Sequence, residues 1–308
     1  MIIATHRLNL RLKRPGTLLP WLGPALRGAV AIRFKDRVCQ QPAEQRERWI
    51  HCSGCQYMST CSYGQTYEPD PPAGAGVLND QPEVTRPLVL APYFPVPDLA
   101  RPGLDVPLRI CVVGVEAVRH TNQLLEALAD AGRTGLGSDR VTFDLIENGN
   151  RPDVRQLQAA DLPPSPDVIL GVLPRVGIGL TAPLFLTVRD TRGKRQPIET
   201  PQFADLFRAS LRTVGRMFAH HDQPLPADFA ALKAAAEHVR LLEDCYEPFT
   251  QRKWSSRGSD RFELQGVIGG GVYGDVPQSL LPWLTWGGNL HVGTHRVAGA
   301  GGWRIVLD

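Results

Sequence analysis

Polar and apolar residues alternate from Ile2 to Leu12, with Ala4, Leu8, Leu10 and Leu12 on one face and Thr5, Arg7, Asn9 and Arg11 on the other. A period of two predicts an antiparallel strand with one solvated face, and Pro15-Gly16 ends it. From Leu22 to Val38 the period changes. Leu26, Val30 and Phe34 recur four apart, the apolar stripe of a helix. A strand follows at Arg109 to Val118, a helix at Thr121 to Ala131, a glycine-bearing turn at Gly132 to Gly137 and a strand at Arg140 to Ile146. Prolines 163, 164 and 166 predict a domain junction, placed at 165/166. Beyond it come strands at Val168 to Leu173 and Leu180 to Arg189, then helices at Gln202 to His220 and Pro226 to Cys245. Strands at Phe262 to Gly270, around Leu290 and at Trp303 to Leu307 complete the set. The predicted fold class is α+β. Two ferredoxin-like (RRM-like) domains stand in tandem, 1–165 and 166–308, each running strand, helix, strand, strand, helix, strand.

Composition adds a globular chain: 43% of residues are hydrophobic and 21% charged, with 30 glycines and 27 prolines that favour many turns. No apolar run is long enough to span a bilayer. The best stretch, Val168 to Val188, is broken by Pro174, Arg175 and Pro183. Arg7 and His6 inside the first apolar run make a poor secretion signal, so the expectation is a cytoplasmic protein without membrane contact. Charge is uneven: residues 1–50 carry ten Lys/Arg against three Asp/Glu, whereas residues 51–249 are net acidic. A basic, arginine-rich end suggests a phosphate-bearing partner, and Arg27, Arg33 and Arg37 of the first helix are the candidates to meet it.

The C-terminal run Leu290-His291-Val292-Gly293-Thr294-His295-Arg296-Val297-Ala298-Gly299-Ala300-Gly301-Gly302-Trp303 is dense in glycine. Such a loop can bring bare amides close to a phosphate, and Gly293, Gly299, Gly301 and Arg296 are the candidate contacts. A tight connection between two core strands is the competing reading. Trp254, flanked by Arg252, Lys253 and Arg257, is a candidate surface for stacking an unpaired base. Trp283, Trp286 and Trp303 read as core, as do Cys111 and Cys245. Cys39, Cys52, Cys55 and Cys61 form a second cluster, with Cys-x-x-Cys in a polar turn. In a reducing compartment such a quartet favours a structural Zn²⁺ within an insertion at 39–61; free thiols, or His51 replacing one sulfur, are the alternatives.

Several segments, in this order along the chain, resemble the CRISPR-associated RAMP endoribonucleases that process precursor guide RNA. They are Leu26-Arg27-Gly28-Ala29, Gly135 to Arg140, Thr181-Ala182-Pro183-Leu184, Gly266-Val267-Ile268-Gly269, Leu280 to Trp283 and Gly287 to Trp303. The resemblance implies two ferredoxin-like domains that grip a repeat stem-loop. It also implies metal-independent cleavage, in which a 2′-hydroxyl attacks the adjacent phosphate to leave a 2′,3′-cyclic phosphate, with the stem-loop retained. Members usually carry a catalytic His in or before the first helix, but Thr17 to Val38 contains neither His nor Tyr. Arg27, His51 and His295 are therefore the catalytic candidates, with His6 and His291 as further imidazoles. The alternatives are an inactive crRNA-binding, capping subunit of an effector complex, possible partners being its other subunits, and a zinc-stabilised protein scaffold.

Overall fold

The structure, a computed structural model, describes residues 1–42, 44, 52, 54–70, 84–147, 151–169, 171–254 and 261–307; of Glu147, Lys253, Trp254, Arg261 and Phe262 it describes the backbone only. The chain forms two compact units, residues 1–157 with 216–224 and residues 158–215 with 225–308. The proline run had suggested a junction at 165/166.

Unit 1 is built around β1 (Ile2–Leu12), whose alternation buries Leu8, Leu10 and Leu12 while Arg7 and Arg11 stay exposed. Strand β1 pairs antiparallel along one edge with β3 (Asp105–Val113). Its other edge is shared by β4 (Phe143–Glu147) and β5 (Asp153–Gln156). Strand β2 (Leu88–Pro92) lies outside β3, giving the order β2-β3-β1-β4. Helix α1 (Gly23–Val38) starts on Pro24 and buries Leu26, Val30 and Phe34. A fully buried Phe or Leu contributes about 1.5–3 kcal/mol, enough to fix the helix by its stripe. Helix α2 (Ser62–Tyr67) stacks Tyr63 on Tyr67, ring centroids 5.2 Å apart, with both edges on Phe34. Helix α3 (Thr121–Thr134) packs beside α1 through Leu124, Ala127, Leu128 and Ala131.

Unit 2 repeats the order. Strand β6 (Val172–Leu180) lies between β8 (Arg261–Pro277) and β9 (Trp303–Leu307), with β7 (Arg240–Trp254) outside β8. Helix α4 (Phe203–His221) precedes β7, its residues from Arg216 onward counting with unit 1. The short α5 (Phe229–Glu237) and then α6 (Leu281–Leu290) complete the unit. Trp283 and Trp303 are buried, as expected.

Several elements differ from the sequence expectation, among them the strand expected over Leu180 to Arg189, of which only Thr187–Arg189 forms, and the one expected over Arg109 to Val118, which ends at Val113. The helix expected over Pro226 to Cys245 lasts only from Phe229 to Glu237, capped by Asp228, whose carboxylate accepts from the Ala230 and Ala231 amides. From Arg240 the chain becomes a 15-residue strand, because pairing with β8 over its whole length outweighs local helix preference. Cys245 is in consequence exposed, whereas Cys111 is buried. The strand expected around Leu290 is the end of α6, opened by Pro282 at its first turn. The first strand of the second half is displaced, running from Val172 to Leu180. No helix among the described residues is long and apolar enough to cross a membrane.

Helices α4 and α6 approach closely at Gly287, where an added Cβ would stand 2.1 Å from Ser210 Oγ and 3.0 Å from its Cα. Gly287→Ala is therefore expected to lower the stability of unit 2 by about 1–3 kcal/mol through overpacking; an unchanged thermal midpoint would show that the helices separate freely. Two imidazoles of unit 1 set a pH dependence. His220 Nδ1 accepts from the Thr85 amide at 3.0 Å, and burial, with Arg216 second, holds its pKa below the usual value. His120, bonded to Gln65 at 2.7 Å, is lowered chiefly by burial. Each takes its proton more readily in the unfolded chain, so stability is complete above the unfolded value of about 6.5 and falls as the pH drops below it. Calorimetry at about pH 7.5 and about pH 5.5 should show this loss, and His120→Gln with His220→Gln should flatten it.

Candidate functional site

The arginines of α1 do not form one row. Arg37 bridges Glu126 and Asp130 of α3 at 2.5 and 2.6 Å. Arg33 donates to Thr134 Oγ1 at 3.1 Å and lies 3.4 Å from Asp36. Both expected RNA contacts thus brace the α1–α3 pair in this conformation. Arg27 differs: it is half-buried near Tyr63 and Tyr67, and its Nε has no hydrogen-bond partner. Burial, followed by the neighbouring Arg86 cation, holds its pKa below the ordinary guanidinium value. Tyr67 has a buried hydroxyl without a hydrogen-bond partner, its pKa pushed far up by burial. An anion reaching Arg27 would meet two guanidiniums and supply the acceptor that Nε lacks. Arg86, Tyr63 and Tyr67 were missed from sequence; the four-residue spacing of the tyrosines after the cysteines was the available signal.

The glycine loop is a packed connection with an exposed tip. His291 is buried and its Nδ1 bonds the Ala300 carbonyl at 2.9 Å, while buried Arg296 donates to the Leu290 carbonyl at 3.0 Å. The Gly299 amide donates to Arg296 O and that of Gly301 to Pro183 O, both at 2.9 Å. Gly301 is left-handed at φ 71°, and a Cβ there would lie 2.0 Å from the Val292 carbonyl oxygen. These glycines serve close packing, and their amides are spent inside the unit instead of cradling a ligand. The tip is different: Gly293 and Thr294 are exposed, and His295 is half-exposed. His295 has a left-handed backbone, φ 63°, and its ring stands edge-on to Phe185 at 5.5 Å. A non-glycine residue in that region stores strain, which surrounding contacts must hold.

Arg252 is exposed on β7, opposite Glu263 of β8. The side chains of Lys253 and Trp254, together with Arg257 and His51, lie outside the described residues. His6 is half-buried in β1.

Cys39, Cys52, Cys55 and Cys61 line one cavity, beside Lys35 and Met58. The Cys55 amide donates to the Cys52 carbonyl at 3.0 Å across left-handed Gly54 (φ 72°), which closes the Cys-x-x-Cys turn. Gln41 donates to Cys55 Sγ at 3.3 Å. Burial, with the Glu68 carboxylate second, pushes the Cys52 thiol up to about 12. The six cysteines form no disulfide. Among the described residues no three His, Cys, Asp or Glu side chains are disposed to hold a metal ion.

A family model described as an N-terminal domain matches residues 1–159, and the model for the CRISPR-associated endoribonuclease Cas6 matches residues 178–303. No curated protein matches the chain. Among solved structures, a Cas6 product complex is 16% identical with a TM-score of 0.57, covering 99% of this chain and all of that one. Thermus thermophilus Cas6 is 14% identical with a TM-score of 0.51 over 99% of this chain and 98% of that one. A partial Cas6-RT-Cas1–Cas2 complex contains a chain 12% identical, with a TM-score of 0.53, of which 46% is covered by the whole of this one. At such identities the likeness establishes the fold, and the family models carry the relationship. Residues 178–303 thus match the CRISPR-associated endoribonuclease Cas6 family, and the fold likeness to Cas6 structures runs along nearly the whole chain.

Proposed function

We propose that this protein, in the cytoplasm, binds the stem-loop of a CRISPR repeat transcript through two ferredoxin-like domains, cuts the precursor and retains the stem-loop. The observation that carries this reading is local. Residues 178–303, the Cas6-matched stretch, complete a sheet-and-helix unit whose last loop holds a strained, half-exposed imidazole, His295, at its tip. Cleavage proceeds without metal. A 2′-hydroxyl loses its proton to a base and attacks the adjacent phosphorus, the phosphorane charge meets a cation, and the leaving 5′-oxygen takes up a proton. His295 is the candidate for a proton-transfer step and Arg27, with its unpartnered Nε, for the cation. They belong to different units, so each is tested separately.

The lack of His or Tyr in Thr17 to Val38 favours a second reading, an inactive binder that caps the guide within an effector complex. Other CRISPR subunits are the proposed partners in either case. Incubating end-labelled repeat RNA with the protein in EDTA separates the two. A cyclic-phosphate product is expected, and His295→Ala should slow its formation by about 10²–10⁴-fold. Intact RNA in a tight, salt-sensitive complex would establish the binder instead. Arg27→Ala should weaken binding or cleavage while leaving the thermal midpoint near wild type.

We also propose that Cys39, Cys52, Cys55 and Cys61 close around one structural Zn²⁺, supported by their common cavity and the Cys52–Cys55 turn. Bound thiolates would order the 39–61 insertion and take no part in cleavage. Metal analysis should give about one zinc per chain, lost in Cys52→Ser together with thermal stability. A metal-free protein with wild-type stability would rule the site out.

A further inference from the structure

Two imidazoles end helix α4. His220 and His221 are its last residues, their rings edge-on at 6.3 Å, and both engage the backbone of Thr85. The Thr85 amide donates to His220 Nδ1 at 3.0 Å. The Thr85 carbonyl, which can only accept, takes its bond from His221 Nε2 at 2.8 Å. Both tautomers are thereby fixed, each ring carrying its proton on Nε2. Gly114, just past the end of β3, leaves room for the pair: its φ is 86°, and an added Cβ would lie 3.1 Å from the His221 Cβ. All these residues belong to unit 1.

Thr85 is half-buried on a connecting segment. Such a backbone can take its hydrogen bonds from water, yet here two side chains from a distant helix supply them. Two residues on, the Pro87 carbonyl accepts from the Val113 amide at 2.9 Å. Arg86 therefore stands between two anchored residues at the entry to β2, and β2 packs on α1. The Arg86 charge acts on Arg27 of α1, second only to burial, and both guanidiniums act on the Tyr67 hydroxyl. Glu68 acts on Arg27 more weakly, and its Oε2 accepts from the Cys52 amide at 2.9 Å. Arg27 Nε and the buried Tyr67 hydroxyl lack hydrogen-bond partners. A phosphodiester has the oxygens to accept from two guanidiniums at once.

We propose that the His220–His221 clasp on Thr85 holds Arg86 beside Arg27, so that the two guanidiniums together grip one phosphodiester of the repeat transcript. That role rests on the reading of the chain as a repeat-RNA-binding protein with Arg27 at its anion site. It adds Arg86 as a second phosphate ligand and the two histidines as positioning residues. The clasp holds only while His220 Nδ1 is unprotonated, because a proton there would set donor against donor and free Thr85. The charged and titratable groups around that ring are Arg216 one turn earlier on α4, His221, Arg86 next to Thr85, and Asp222, which is engaged by the Met1 amino group.

The test uses the full chain and a fluorescein-labelled repeat hairpin. Anisotropy is followed across a salt series and from about pH 5.5 to about pH 8, with circular dichroism reporting the fold. Arg86→Gln should weaken binding by at least about fivefold and lower the slope of log affinity against log salt by about 0.7–0.9, one phosphate contact. His220→Ala should weaken binding too, but the double variant should stay within about twofold of Arg86→Gln alone, because the histidine acts through that arginine. His220→Asn places an acceptor that does not titrate near the Nδ1 position. It should bind as wild type near neutrality and lose part of the weakening that wild type shows below about pH 6.5. Additive losses in folded variants, or wild-type affinity and slope in Arg86→Gln, would overturn the inference while leaving Arg27→Ala to judge the broader reading. Should His220→Ala fail to fold, His220→Asn decides, and an acid profile identical to wild type overturns the clasp. A wild-type protein that binds no hairpin would remove both the clasp's role and the broader proposal.

Discussion

In both sheets the first strand lies between the third and the fourth, so it must be paired along both edges before either unit has a core. That position dictates the rest. A strand that returns to its own sheet through a helix does so with a fixed hand, which sends the connecting helices to the same face. One face is then apolar by necessity, as Leu8, Leu10 and Leu12 are in β1, and Val176 and Ile178 in β6. The other face is released from that demand. In unit 1 it carries arginines, whereas β6 places Gly177 and Gly179 there and leaves much of the strand's backbone bare. The chemistry of each unit can therefore change on the second face without disturbing the core that holds it.

How much of this was legible depended on whether local pattern and tertiary pairing agreed. Strand β1 and helices α1 and α3 were read correctly because their apolar periods are the ones their burial requires. The stretch after Glu237 was misread as helix because its alanine- and leucine-rich start favours that state, whereas its length as a strand is set by a partner some twenty residues later, which no local window contains. Around Leu290, several apolar residues in ten satisfy a buried helix as well as a strand, and Pro282 decides for the helix. The candidate site was legible in residue type and much less in role. Glycines in the last loop signalled close approach of backbone, but the approach is to Val292 and Pro183 and not to a ligand.

The cations show why counting charge along a sequence overstates binding capacity. Arg37 answers two carboxylates of α3, Arg296 a backbone carbonyl, and Arg11 an aspartate across the sheet. Each such arginine is positioned by its partner, and an arriving phosphate would have to displace that partner at little net gain. What distinguishes Arg27 is an unsatisfied donor beside a second guanidinium. There the molecule keeps a buried donor unsatisfied, which folding alone disfavours and which is a stronger pointer to an external anion than exposure or net charge.

The glycine loop follows the same logic in reverse. His291, Arg296, Gly299 and Gly301 each make a hydrogen bond that holds the loop to its own unit, and these bonds anchor the chain on either side of the tip. A proton-transferring imidazole is useful only if its orientation is set before the substrate arrives. His295 has its backbone fixed in a left-handed conformation and its ring set edge-on to Phe185, which in turn packs on Phe249. The dense glycine signature is thus a scaffold for a neighbouring residue. A loop of the same length without those close approaches would leave the imidazole free to sample many orientations, most of them unproductive.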